Sequence, residues 1–84
     1  MRTEEVGEAV DVGVLFRKGA PAAPRWFRWS GRKYDVEKVE SFWRGRRGEA
    51  PLLFFAVSSA GNVYELCCDQ KTLAWSLEKV HSKG

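Results

Sequence analysis

The chain has 84 residues, 44% of them apolar and 30% charged, with a net charge of +3; this leaves room for one small domain and excludes a low-complexity or disordered chain for its main body. A domain of this size buries only about 60 to 65% of its unfolded surface, so four Trp, five Phe and two Tyr must supply much of the core. Ten of the fourteen Lys and Arg lie between Arg17 and Arg47, beside only Asp35, Glu37 and Glu40, so that segment carries +7 and the remainder −4.

Residues 1–8 are polar and acid-rich and read as a flexible N-terminal tail; no apolar stretch of a secretory leader follows Met1, which makes the cytoplasm the expected compartment. From Val10 a period of two sets in: Val10, Val12, Val14 and Phe16 alternate with Asp11, Gly13 and Leu15, the pattern of a strand with one inner face. Arg17 to Pro24, with two prolines and a glycine, forms an exposed loop. In the next strand Phe27 and Trp29 share one face, and Trp26 and Arg28 share the other. Ser30-Gly31 suits a hairpin turn, and the return strand places Tyr34 and Val36 together.

After Val36 the apolar spacing changes to Val39, Phe42 and Trp43, which fits either a short helix near 37–44 or a strongly bent strand. Arg44 to Glu49 reads as a mobile basic loop. Ala50 to Val57 is the longest strongly apolar run, far too short to cross a bilayer and well suited to a buried strand, so no membrane contact is expected. Ala60-Gly61-Asn62 turns the chain into a strand with Tyr64, Leu66 and Cys68 opposite Val63, Glu65 and Cys67. A polar turn over Asp69 to Thr72 leads to a last strand with Leu73, Trp75 and Leu77 on one face. Residues 82–84 read as a flexible C-terminus, which leaves a single β domain over 9–81.

Five to six short strands with hairpin-like turns and no βαβ spacing predict an all-β fold, an antiparallel meander or small barrel of SH3-like or OB-like size. Closure is favoured because an open sheet of this length exposes two apolar edges.

Catalytic chemistry finds little support. Cys67 and Cys68 are adjacent, so in a strand they face opposite ways and do not pair with each other. Together with the one histidine they do not make a zinc site, and no metal or cofactor is expected. Neither GxGxxG nor GxxxxGK occurs. His81 sits near the C-terminus, where little would hold it as a base, and Asp35, Glu37 and Glu40 read as surface charge. The chain therefore reads as a binding domain, not an enzyme.

Charge for a backbone and rings for bases are what a single-stranded nucleic-acid surface needs. The candidate residues are Arg25, Trp26, Arg28, Arg32, Lys33, Arg44, Arg46 and Arg47, with Trp26 as the stacking ring because it shares a face with Arg28 away from Phe27 and Trp29. Two alternatives stand beside this. Trp26, Arg28 and Trp43 would make an anchor cluster for a protein partner, or Trp26 packs against Trp43 or Phe54 and the basic loops serve solubility.

Phe27, Trp29, Gly31, Tyr34 and Val36, followed by Val39 and Trp43, form an F/W-x-W-x-G-x-x-Y-x-V motif with a tryptophan several residues on. With the hairpin from Leu53 to Cys68 and the terminal Val80-His81 step, this stretch resembles a small uncharacterised bacterial β-domain family, some relatives of which are associated with error-prone DNA polymerase systems. The resemblance implies a DNA repair or polymerase accessory setting and carries over no catalytic residue; His81 would be a strand-end packing or hydrogen-bonding residue.

Overall fold

Short-period alternation turns most of the chain into strand. The computed structural model describes residues 2–83, in which eight strands form two antiparallel sheets. They are β1 (Arg2–Ala9), β2 (Asp11–Leu15), β3 (Ala23–Trp29), β4 (Arg32–Asp35), β5 (Lys38–Arg47), β6 (Ala50–Ser59), β7 (Asn62–Asp69) and β8 (Trp75–Ser82). One sheet has the order β1-β8-β7-β6-β5 and the other β2-β3-β4.

Only Val10 separates β1 from β2, and only Val36 and Glu37 separate β4 from β5, so two long runs of chain each serve both sheets. Traced this way, the fold is a meander of six runs in which each pairs with the next and the first pairs with the last. Backbone bonds bind the corners: Val10 N–H donates to the Trp75 carbonyl at 3.2 Å, Val36 N–H to Arg25 at 2.9 Å and Glu37 N–H to Ser58 at 2.8 Å. The all-β antiparallel reading is borne out.

The core lies between the sheets. Phe27, Phe55, Val57, Tyr64, Leu66 and Leu77 are buried there, with Tyr34 and Trp29 packed against them. Phe27 stacks on Tyr34 at 4.9 Å and 8°, and both rings tilt against Tyr64. Ser30 (φ 53°) with Gly31 (φ 75°), and Ala60 (φ 49°) with Gly61 (φ 83°), put both central residues of their hairpin turns at positive φ, the geometry that matches the right-handed twist of the flanking strands.

Four expectations are corrected. The stretch near 37–44 holds no helix: residues 38–44 are strand, the pairing is irregular between Val39 and Ser41, and the extra residue Glu40 lets Val39 and Phe42 share a face although three apart. What looked like a helical period is a bulge. Residues 2–8 are not a tail but most of β1, paired with β8. Acid-rich composition argues against a strand locally, but β8 offers a full edge, Lys79 meets Glu5 at 3.9 Å, and the irregularity at Gly7 (φ 66°) lets Val6 pack on the core. Ser82 belongs to β8, where a flexible terminus was expected; Met1 and Gly84, the outermost residues of the two expected tails, lie outside the described residues. Phe16 and Leu73 are also not inner-face residues. Phe16 lies one residue past the end of β2 and is 78% exposed, and Leu73 sits 71% exposed in a turn at φ 64°.

Candidate nucleic-acid interface

The outer face of the β2-β3-β4 sheet is built from cross-strand rows. Asp11, Arg28 and Lys33 form one, and Gly13, Trp26 and Asp35 the next. Their order follows from alternation, since Val12, Phe27 and Tyr34 between these rows face the core. The Trp26 indole lies flat across Gly13: a Cβ built there would fall 2.0 Å from Trp26 Nε1 and 2.2 Å from Cε2. One ring face is thus used on the backbone, and the side chain is half-buried. Arg28 Cζ lies 5.7 Å and Lys33 Nζ 5.5 Å from the ring centroid, within reach of a cation–π attraction. Asp35 holds Lys33 at 3.6 Å and Asp11 sits opposite Arg28, so this face carries acids among its cations.

The eight candidate residues do not form one surface. Arg25, exposed at the bulge of β3, precedes Trp26 in the chain and lines a groove beside Val36 and Phe42, while Arg28 and Lys33 are the cations placed at the Trp26 ring. Arg32, opposite Trp29, places its guanidinium 5.3 Å from the Tyr34 centroid at the end of the hairpin. Arg44 and Arg46, expected in a mobile loop, are instead paired in β5 of the other sheet, and Arg47, also in β5, spans the outer face of that sheet to meet Glu78 at 3.7 Å. Trp43 pairs with Phe54 and stacks on it at 5.4 Å and 7°, on the face opposite Phe55. The proposed cluster of Trp26, Arg28 and Trp43 is therefore divided between two sheets, and Trp26 rests on Gly13 instead of Trp43 or Phe54.

Two glycines were missed by the sequence reading. Gly13 seats Trp26, and Gly45 seats Phe54, whose Cε2 would lie 2.7 Å from a Cβ there. Their signal was a glycine inside a strand with an aromatic on the neighbouring strand, which exposes bare backbone for a ring to cover. Recognising it requires the register.

His81 is not loosely held. It lies in β8, with Nδ1 2.9 Å from Thr3 Oγ1 and Nε2 2.7 Å from Glu65 Oε2. With Glu65 ionised, Nε2 carries the proton and donates, and Nδ1 accepts from the Thr3 hydroxyl, an assignment drawn from the network. Both ring nitrogens are occupied, so the ring ties β1, β8 and β7 together. Burial pushes the Cys67 thiol up, with the Glu78 carboxylate adding to this and Arg47 opposing it; burial likewise raises Cys68. Neither is poised as a nucleophile. Among the described residues no group of three His, Cys, Asp or Glu is placed to hold a metal, and no helix is long and apolar enough to cross a membrane.

A groove of about 440 Å³ opens where β3 and β5 part company. The Pro21 to Pro24 segment forms one wall, Phe42 and Phe55 form the other, and Arg17, Arg25 and Lys38 stand at its rim. Comparison with known protein families, with curated proteins and with solved structures finds no match.

Proposed function

We propose that this domain binds single-stranded nucleic acid on the outer face of the β2-β3-β4 sheet, and that it binds without catalysing. The observation that carries this reading is the Trp26 indole, held flat by Gly13 with Arg28 and Lys33 beside it. A ring fixed on a rigid strand loses little freedom when a base stacks on it, and such stacking contributes about 1 to 3 kcal/mol per base. Arg28 and Lys33 would swing from the ring towards phosphates, while Arg25 extends the cationic track. A second reading, contact with a protein of a DNA repair or polymerase complex, draws support from a different place, the exposed Phe42 and Trp43 of β5.

Titrating oligothymidylate while following Trp fluorescence at two salt concentrations tests the first reading. Three phosphate contacts from Arg25, Arg28 and Lys33 give a slope of log K against log salt of about −2. Trp26→Leu is expected to weaken binding at least fivefold while leaving that slope unchanged. No binding at low salt, to single-stranded or duplex forms, would sink the reading.

A further inference from the structure

We propose that the free edge of β5 takes an acidic, extended segment of a partner protein as an added strand, at a surface separate from the Trp26 face. β5 closes the five-stranded sheet on one side and pairs only with β6. Past the bulge at Glu40 its register with β6 runs without a break from Ser41 to Arg47. A regular antiparallel strand turns alternate backbone N–H and C=O pairs away from its partner, and on an edge strand these groups await a strand of matching length. The other sheet does not cover them, because β4 passes into β5 at Val36 and Glu37 and the β3 pairing stops there.

The side chains decide what kind of strand fits. On the inner side Phe42, Arg44 and Arg46 follow one another at alternate positions, with Trp43 and Arg47 on the outer side. Phe42 is 44% exposed and forms a wall of the groove with Phe55, opposite Pro21 and Pro24. An apolar side chain opposite Phe42 would enter that groove. Carboxylates opposite Arg44 and Arg46 would meet two guanidinium groups that form no ion pair among the described residues. Lys38 and Arg17 at the rim favour the same sign of charge, and the one acid in the lining, Glu37, already accepts from the Ala60 N–H at 3.3 Å. The expected ligand is thus an extended peptide with one apolar residue and two acids at alternate positions, bound by main-chain bonds along Ser41 to Arg47 and by charge and groove contacts for choice of sequence. A nucleic acid offers charge but neither the amide ladder nor the aliphatic side chain.

The test uses the full chain and the capped peptide Thr-Glu-Thr-Glu-Thr-Leu-Thr, which sets Glu, Glu and Leu against Arg46, Arg44 and Phe42 in antiparallel register. Two-dimensional NMR is expected to show shifts concentrated in Ser41 to Arg47, with slowed hydrogen exchange at the outward amides of that stretch. Replacing both Glu by Lys in the peptide, or Arg44→Glu with Arg46→Glu in the protein, is expected to lower affinity at least tenfold. Phe42→Ser is expected to lower it as well; should that variant lose stability, the charge-reversed pair still decides, because both arginines are exposed. Three results would overturn the proposal: no shifts in β5 at millimolar peptide, displacement of the peptide from β5 by oligothymidylate, or sedimentation showing that β5 is already covered by β1 of a second copy, whose Glu4, Glu5 and Glu8 line the opposite edge of the same sheet.

Discussion

Gly13→Ala is expected to unseat Trp26. The added methyl would lie 2.0 Å from Nε1, 2.2 Å from Cε2 and 2.7 Å from Cδ1, about 1.4 Å inside ordinary contact at the closest atom. The strand cannot easily retreat, since Gly13 and Trp26 are paired across β2 and β3 and Phe27 beside Trp26 is fully buried. The indole must therefore swing off the sheet. Forcing a methyl into a filled site costs about 1 to 3 kcal/mol, and removing a glycine from a strand interior returns about 0.5 to 1 kcal/mol. The net loss is about 1 kcal/mol, which lowers the melting temperature of a domain this size by roughly 4 to 8 °C. The decisive comparison is the same substitution in a Trp26→Ala background. There the clash is gone and Gly13→Ala becomes stabilising by about 0.5 to 1 kcal/mol, so the effect changes sign. Urea denaturation of the four proteins, followed by circular dichroism, measures this directly. Equal destabilisation with and without Trp26 would refute the reasoning and show that Gly13 serves the backbone alone.

Two further predictions concern groups of the five-stranded sheet. The Cys67 and Cys68 thiols are raised in the folded state above their ordinary value of 9.0, so the unfolded chain releases these protons first. The stability they contribute is complete below that ordinary value and declines as pH rises through it; the urea midpoint should fall between pH 8 and 10, and fall less steeply in a Cys67→Ala, Cys68→Ala protein. Identical pH profiles would show that the thiols titrate alike in both states. His81→Ala leaves the Glu65 carboxylate without its donor and cuts the tie to Thr3, a loss of about 1 to 3 kcal/mol, with β1 amides the first to gain hydrogen exchange; unchanged exchange in β1 would mean that its pairing with β8 holds without the imidazole.

Much of the fold was legible in the chain. Turn chemistry at Ser30-Gly31 and Ala60-Gly61, and alternation through Phe27, Phe55, Tyr64 and Leu66, assigned hairpins and core faces that the structure reproduces. Reading failed where an extra residue broke the period of two. Glu40 made a strand look helical, and the alternation from Val10 gave no sign that β2 stops at Leu15 and leaves Phe16 outside. It failed again at β1, where a partner strand outweighs local composition.

The candidate site divided along the same line. Which aromatics turn inward is a local property, because neighbouring side chains in a strand point opposite ways, and the sequence by itself determined that Trp26 and Arg28 share an outward face. Whether distant cations join them depends on strand order and register, which only the tertiary structure decided. It kept Arg28 and Lys33 near Trp26, carried Arg44 and Arg46 to a free edge, and placed Gly13 under the indole. Pairing energy is spread over backbone bonds that every residue can form, so the side chains that meet across strands are set by the closure of the whole sheet.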